Sequence, residues 1–313
     1  MNRPVVYVTL QQFCEEDDQP KRLLEAEGFD VRQNALGRRL RREELATMLS
    51  EAAAVVAGIE PYDAGVLAAL PRLRCISRCG VGVDSIDIEA ARRLGIAIYR
   101  TVDEVIEPVA QMTLAMILAL ARNLPLHTQD VREGRWTKRT GVLLSEWTIG
   151  LVGFGRIGQA VERLLRPFGP RVLANDPMLQ HAEVPRGVDA VPLNTLLARA
   201  DLVSLHADRQ REAGALIGER EFSVMKPGSF LVNTSRGYLV DQDALLSALQ
   251  SGHLAGAALD VFEPEPYTGP LARLSQVLAT PHVASLTRAS RAAMERRAVE
   301  QLIEHFSRAG VAP

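Results

Sequence analysis

The sequence predicts an α/β protein with two doubly wound parallel sheets. Short apolar and β-branched runs alternate with helical patterns through the first hundred residues, and the alternation starts again after Gly150. Alternation at this spacing indicates that helices connect parallel strands. A length of 313 residues also suits two domains. We therefore expect one such sheet in each half of the chain.

The first half contains five predicted strands, four short helices and one long helix. The strands cover residues 5–10, 29–33, 53–58, 74–77 and 97–99, and the short helices lie near residues 20–27, 42–51, 64–70 and 88–94. The long helix, roughly residues 105–123, is apolar on nearly every face. Because such a helix must be buried on several sides, we expect it between the domains or in a subunit interface.

The second half repeats the alternation and ends in a helix. Its predicted strands cover residues 149–153, 171–174, 202–205, 229–233, 255–260 and 276–279, and the final helix covers about residues 288–309. Between the first of these strands and the helix after it lies a glycine triplet, Gly153, Gly155 and Gly158. The first glycine permits a tight turn, the second lets a pyrophosphate approach the backbone, and the third allows close helix packing.

Two further features around this turn support a dinucleotide site. Arg156 and Ile157 open the helix, whose N–H groups and positive dipole end would face the phosphates. Asp176 lies 18 residues beyond Gly158, at the end of the next strand, where a carboxylate can accept hydrogen bonds from both ribose hydroxyls. Strand, glycine triplet, helix, strand and acid in this order predict that the domain binds a dinucleotide.

Composition and charge exclude several other classes of protein. The net charge is −2 and the pI about 6.3, so no basic surface for nucleic acid or anionic membrane is expected. The three cysteines are too few for a disulfide framework, and Cys75 and Cys79 lack a second Cys or His pair for a metal site. The N-terminus lacks the apolar region of a signal peptide, and the most apolar run, residues 114–121, is too short to span a membrane. We expect a cytoplasmic protein without a metal.

Three charged residues follow predicted strands of the second half. Arg236 follows one strand, and its planar fork suits a carboxylate. Glu265 follows the next, between two prolines that restrict the residues before them. His282 follows the last and can donate a proton if a carboxylate stabilises its charged form. Ligands bind at the carboxyl ends of strands in open parallel sheets, so these residues are candidates for a site. His206 also ends a strand, but it has no paired acid and is interpreted as lining of the cofactor side.

These residues and their flanks resemble the D-isomer-specific 2-hydroxyacid dehydrogenases, and the phosphoglycerate dehydrogenase-like subgroup most. The resemblance covers the whole chain and rests on residues 78–87, 153–158 with Asp176, 233–237, 260–266 and 280–282. It implies that His282 is the acid/base, that Glu265 keeps it protonated, and that Arg236 binds the substrate carboxylate and carbonyl. It also implies carboxylate binding by the N–H groups of Val81 and Gly82. Thr113, Thr234 and Asp260 are assigned by resemblance to the cofactor site.

The family fold implies a Rossmann coenzyme domain inserted in a flavodoxin-like substrate domain. The expected boundaries are residues 1–99 plus 288–313 for the substrate domain and 100–287 for the NAD-binding domain. Subunits of the family usually pair through the coenzyme domains, so a homodimer is expected, with the long apolar helix as the dimerisation element. The expected reaction interconverts a small 2-oxo acid and a D-2-hydroxy acid, with NADH as the cofactor.

Two related classes remain as alternatives. Formate dehydrogenases use the same framework, but the residue paired with their histidine is an amide, so Glu265 argues against them. Transcriptional corepressors that resemble this family keep the Glu–His pair and use NAD binding to control assembly. Near-neutral charge and the lack of long interaction tails argue against that role. Turnover of any 2-oxo acid with NADH would separate a 2-hydroxyacid dehydrogenase from a corepressor.

Overall fold

The computed structural model describes residues 3–180, 184–208 and 211–308. The chain forms two compact units, one from Met1–Val105 with Leu286–Pro313 and the other from Ile106–Ser285. These boundaries differ by up to six residues from those expected at 99 and 288. A 3₁₀ turn, Asp103–Val105, belongs to the first unit because the Ser290 hydroxyl in the last helix donates to Glu104 O at 2.8 Å.

The first unit contains a five-stranded parallel sheet. The strands are β1 (Val5–Val8), β2 (Asp30–Gln33), β3 (Ala52–Ala57), β4 (Cys75–Arg78) and β5 (Ala97–Arg100), in the order β2-β1-β3-β4-β5. The connecting helices are α1 (Gln19–Ala26), α2 (Arg42–Met48), α3 (Ala64–Ala68) and α4 (Ile88–Arg93). This strand order is the flavodoxin-like one. The predicted class of this unit is therefore confirmed.

The second unit contains a seven-stranded parallel sheet. The strands are β6 (Thr148–Val152), β7 (Arg171–Asn175), β8 (Val188–Ala190), β9 (Leu202–Leu205), β10 (Ser229–Asn233), β11 (Leu254–Leu259) and β12 (Val277–Ala279). Their order, β12-β11-β10-β9-β6-β7-β8, contains the Rossmann arrangement with one additional strand at the β12 edge. The order reverses at β6, where a dinucleotide is expected to bind. The carboxyl ends of all these strands lie along one edge.

Within the described part of the chain, six helices connect or flank the second sheet, and one more returns to the first unit. They are α5 (Ile106–Ala121), α6 (Leu124–Arg132), α7 (Arg156–Leu165), α8 (Leu193–Arg199), α9 (Glu219–Val224), α10 (Gln242–Gln250) and α11 (Arg288–Arg308). The last of these packs on α1 and on β4 of the first unit. Its predicted end at residue 309 lies outside the described residues.

The long apolar helix extends beyond residues 114–121, the apolar run that is too short by itself to span a membrane. Within the described residues, Asp103–Ala121 is long and apolar enough to cross a membrane by length and composition. Half of its most apolar window is buried, and α5 packs against α7, β10 and β11 with Met116, Ile117 and Leu120 in the core. A helix packed in the core of a folded unit passes the same test of length and composition.

Predicted and observed strands agree within two residues at either end. One strand, β8, was not predicted. Its three residues read Val-Asp-Ala, and Val188 alone among them is buried. A strand that buries one side chain at the sheet margin leaves no apolar alternation in the sequence. Pairing with β7 defines it.

Candidate active site

The glycine triplet connects β6 to α7 as the sequence predicted. Gly153 has a φ of 90°, and a Cβ there would lie 2.5 Å from the backbone nitrogen of Ala207. A Cβ at Gly158 would lie 2.3 Å from Gly153 O, so α7 packs against the turn only with glycine at this position. Among the described residues other than Gly155 and its two chain neighbours, no heavy atom lies within 4 Å of a Cβ placed at Gly155. The turn therefore leaves open space where a pyrophosphate would approach the backbone.

Asp176 lies beside this turn, directly after β7. Its Oδ2 accepts a hydrogen bond from Phe154 N at 2.7 Å, and its Oδ1 accepts from Met178 N at 2.8 Å. These bonds hold the carboxylate next to the glycine turn while the residue stays partly exposed. Arg156 and Ile157, the first residues of α7, are exposed and half-buried respectively. The geometry fits a dinucleotide, and the individual contacts of these residues remain predictions.

Two threonines and one histidine that were assigned to the cofactor lie in the same unit. The Oγ1 atoms of Thr113 in α5 and Thr234 after β10 are 2.9 Å apart, and both residues are buried. Because Thr113 donates to Val109 O at 2.8 Å, its oxygen accepts from Thr234. His206 Nε2 lies 2.9 Å from Ser204 Oγ, and burial lowers the pKa of His206 to about 4. A neutral His206 fits the expectation that it lines the site and is not the acid.

Arg236 lies in a turn that is held rigidly against the next loop. Asn233 Oδ1 accepts from Ser235 N at 3.0 Å, and Asn233 Nδ2 donates to Arg236 O at 2.8 Å. A Cβ at Gly237 would lie 2.1 Å from the carbonyl carbon of Phe262, so only glycine allows this approach. The turn after β10 and the loop after β11 are thereby fixed relative to each other, with Arg236 beside their contact.

The structure brings Glu265 and His282 together. His282 Nδ1 and Glu265 Oε2 are 2.9 Å apart, and the side chains are 49% and 38% exposed. Glu265 Oε1 also accepts from Phe262 N at 3.0 Å. Burial raises the pKa of Glu265, but hydrogen bonds from His282 and Phe262 and the charges of His282 and Arg236 outweigh it, so the net shift is downward. The carboxylate is therefore ionised beside the imidazole, whose Nε2 is left for a ligand.

Asp260 has a role that sequence reasoning did not find. It is fully buried, and its carboxylate accepts from the Thr280 hydroxyl at 2.6 Å, Val283 N at 2.9 Å and Ala284 N at 2.8 Å. Its backbone oxygen accepts from His282 N at 2.8 Å. His282 has a φ of 56°, a left-handed conformation that costs energy in a non-glycine residue. Asp260 holds that turn. An acid at the end of an apolar strand was the available signal, and its assignment to the cofactor remains a prediction.

Val81 and Gly82 lie in the loop after β4 of the first unit, and both are partly exposed. Gly80 has a φ of 143°, donates from N to Thr101 Oγ1 at 2.7 Å, and would place a Cβ 2.7 Å from Arg78 Nη1. The glycine therefore lets the loop fold over the Arg78 guanidinium. Carboxylate binding by this loop remains a prediction.

Comparisons with known proteins point to a single family. Residues 114–284 match the family described as D-isomer specific 2-hydroxyacid dehydrogenase, NAD binding domain. A glyoxylate reductase of Korarchaeum cryptofilum is 40% identical over 263 residues, 81% of this chain and 79% of that protein. A D-3-phosphoglycerate dehydrogenase of Mycobacterium bovis is 39% identical over 251 residues, 79% of this chain.

The chain spans about half the length of that second relative, 48%. The crystal structure of the TT0316 protein from Thermus thermophilus superimposes with a TM-score of 0.85, at 36% identity and 96% coverage of both chains. The family match alone covers more than half of the sequence, and it contains the glycine turn, Arg236, Glu265 and His282. This chain belongs to the D-isomer-specific 2-hydroxyacid dehydrogenase family.

Proposed function

We propose that the protein reduces a small 2-oxo acid to the D-2-hydroxy acid with NADH, and catalyses the reverse oxidation. The observation that carries the proposal is the 2.9 Å contact between His282 Nδ1 and Glu265 Oε2. It orients the ring, stabilises its protonated form, and leaves Nε2 to deliver a proton. Family membership supports the same chemistry.

The cofactor site of the proposal is built from the second unit. Open space at Gly155 and the start of α7 at Arg156 suit the pyrophosphate, and Asp176 suits a ribose. When bound, NADH supplies the hydride that reduces the substrate carbonyl carbon.

Arg236 binds the substrate, and His282 transfers the proton. The Arg236 guanidinium binds the carboxylate of the 2-oxo acid and places the carbonyl for reaction, which gives the rate advantage of a fixed orientation. Protonated His282 donates from Nε2 to the carbonyl oxygen as the carbon is reduced. In the oxidation, neutral His282 takes the proton of the hydroxyl group. Glu265 stays ionised in both directions. The N–H groups of Val81 and Gly82 are proposed as further donors to the carboxylate.

A screen of 2-oxo acids tests the proposal. NADH oxidation is followed with glyoxylate, hydroxypyruvate, phenylpyruvate, 2-oxoglutarate and 3-phosphohydroxypyruvate, and the configuration of the product is determined. We expect turnover of at least one acid and formation of the D-isomer. The His282→Ala protein is the control for contaminating activity. Absence of turnover with every acid, in protein that binds NADH, would contradict an enzymatic function.

The long helix α5, which the family resemblance implied as the dimerisation element, packs in the core of the second unit. We further propose that a homodimer forms instead through the segment between α5 and β6. Four of its large apolar side chains are exposed: Leu124 at 51%, Val131 at 60%, Trp136 at 83% and Leu143 at 66%. Exposed large apolar side chains in one segment favour an interaction surface, and a second copy of the chain presents the same surface in return. Sedimentation of the parent and of Trp136→Ser tests this. We expect a dimer that Trp136→Ser weakens, and a monomeric parent would contradict it.

A further inference from the structure

Glu263, two residues before Glu265, is held by two other elements of the second unit. The Arg211 guanidinium, from the loop after β9, pairs with the Glu263 carboxylate. The side-chain amide of Gln242, the first residue of α10, meets the Glu263 backbone on both sides. Its Nε2 donates to Glu263 O, and its Oε1 accepts from Glu263 N at 3.5 Å. The loop after β11 is therefore tied to α10 and to the loop after β9.

This ion pair and these hydrogen bonds act on the exposed part of the loop after β11, which carries Glu265. Residues 264–266 are exposed, whereas Phe262 before them is buried and stacks on Tyr267 with ring centroids 4.4 Å apart. An exposed glutamate has many rotamers, and fixing it in one costs conformational entropy. Anchoring Glu263 restricts the backbone that carries Glu265, so less entropy is lost when its carboxylate meets His282.

We propose that Gln242 and Arg211 are positioning residues that keep Glu265 at hydrogen-bonding distance from His282. This inference rests on the proposed function, in which the Glu265 carboxylate stabilises protonated His282. The other charged groups that act on the pair are Arg236, whose charge reaches Glu265, and buried Asp260, which holds the His282 turn. The hydrogen bonds of Gln242 and Arg211 go to Glu263 and not to the imidazole, so each acts through the loop.

The two contacts differ in expected strength. Arg211 is 62% and Glu263 34% exposed, and exposed ion pairs contribute little and weaken with salt. The Gln242 amide binds backbone atoms and carries no net charge, so salt does not screen it. We therefore expect Gln242 to be the stronger positioning residue. Gln242 does not cap α10. Asp241 caps the helix by accepting hydrogen bonds from Asp243 N and Ala244 N, whereas the Gln242 side chain binds the loop after β11.

The test compares pH–rate profiles of reduction in Gln242→Ala, Arg211→Ala and the parent. We expect Gln242→Ala to lower kcat by about three- to tenfold at alkaline pH and less at acidic pH. The alkaline limb should move to lower pH, the direction also expected for Glu265→Gln, with KM for NADH unchanged. Arg211→Ala should move the limb in the same direction but by less, and the shift should become smaller still at high salt. Gln276→Ala and Arg171→Ala are matched controls, because they remove an amide–carbonyl bond and an exposed ion pair elsewhere in the unit.

The decisive measurement repeats Gln242→Ala in the Glu265→Gln background. If Gln242 acts through the Glu265 carboxylate, its effect on the pH profile disappears there. An equal loss of kcat in both backgrounds, or a lowered Tm without a change in profile, would show a merely structural role. Arg211→Ala keeps the proposal testable should Gln242→Ala fail to fold. A parent without any 2-oxo acid activity would instead count against the proposed function itself.

Discussion

The two carboxylates that serve His282 are held in opposite ways. Asp260 is fully buried and receives three hydrogen bonds from the His282 loop, two of them from backbone N–H groups. Glu265 is 38% exposed and receives one backbone N–H besides the imidazole. The buried carboxylate shapes the backbone of the histidine, and the exposed one meets its ring.

Asp260 therefore determines where His282 lies, and Glu265 stabilises the protonated form of its ring. A buried carboxylate with all its contacts inside the fold cannot be replaced without leaving buried donors unsatisfied. A half-exposed carboxylate can be replaced with little damage to the fold, because water takes over its hydrogen bonds. Changes at Asp260 should therefore displace the acid, whereas changes at Glu265 should alter when it is protonated.

Removal of the acid itself should have the largest effect. His282→Ala removes general acid catalysis, so kcat for reduction should fall by about 10²- to 10⁴-fold. NADH binding, measured by fluorescence titration, should be unchanged because the glycine turn and Asp176 lie on other loops. Near-normal turnover in this variant would identify another residue as the acid.

Asp260→Asn should have the next largest effect and should act on geometry. The amide keeps one acceptor oxygen, but its NH₂ group is itself a donor and would face N–H or O–H groups that now donate to the carboxylate. We expect a fall in kcat of about 10²-fold through misplacement of His282, and a loss of about 1–3 kcal/mol in the free energy of unfolding. Chemical denaturation and steady-state kinetics measure the two effects. Full stability with full activity would mean that the buried carboxylate does not hold the turn.

Glu265→Gln should act on protonation and leave the fold intact. The contacts that lower the pKa of Glu265 stabilise its ionised form. Their contribution to the free energy of unfolding is present at neutral pH and is lost only as pH falls through the lowered pKa. Without the carboxylate, the imidazolium loses its charged hydrogen-bond partner. Reduction should therefore decline at a lower pH than in the parent, with a loss of about tenfold on the alkaline side. An unchanged pH–rate profile would remove Glu265 from the mechanism.

Asp176 extends the comparison to the cofactor, with the smallest expected effect. Asp176 accepts hydrogen bonds from two backbone N–H groups, as Asp260 does, but it is partly exposed, as Glu265 is. The parent should prefer NADH, because the carboxylate repels a 2′-phosphate. Asp176→Ala should lower kcat/KM for NADH by roughly tenfold, the loss of a charged hydrogen bond, and affect NADPH less. A parent that prefers NADPH would contradict the assignment, and Arg156 would then be the residue to test.

Both sheets and most strand limits could be predicted from the sequence because parallel strands buried on both faces are continuous apolar runs. The glycine triplet and the charged residues at strand ends were also visible, since each stands directly after such a run. Strand β8 was missed because it buries one side chain. The ties from Gln242 and Arg211 to Glu263 were missed because 21 and 52 residues separate the partners and no local pattern connects them.

The sequence by itself determined the fold class, the dinucleotide turn and the choice of the proposed acid and its partner. These features depend on local steric rules and on the common edge at which parallel strands end. The tertiary structure alone decided how the proposed acid is held: the left-handed backbone of His282, the burial of Asp260 beneath it, and the contact of Gly237 with Phe262 that fixes Arg236. Such contacts join residues far apart in the chain, and their energies depend on burial and distance, which exist only once the strands have paired.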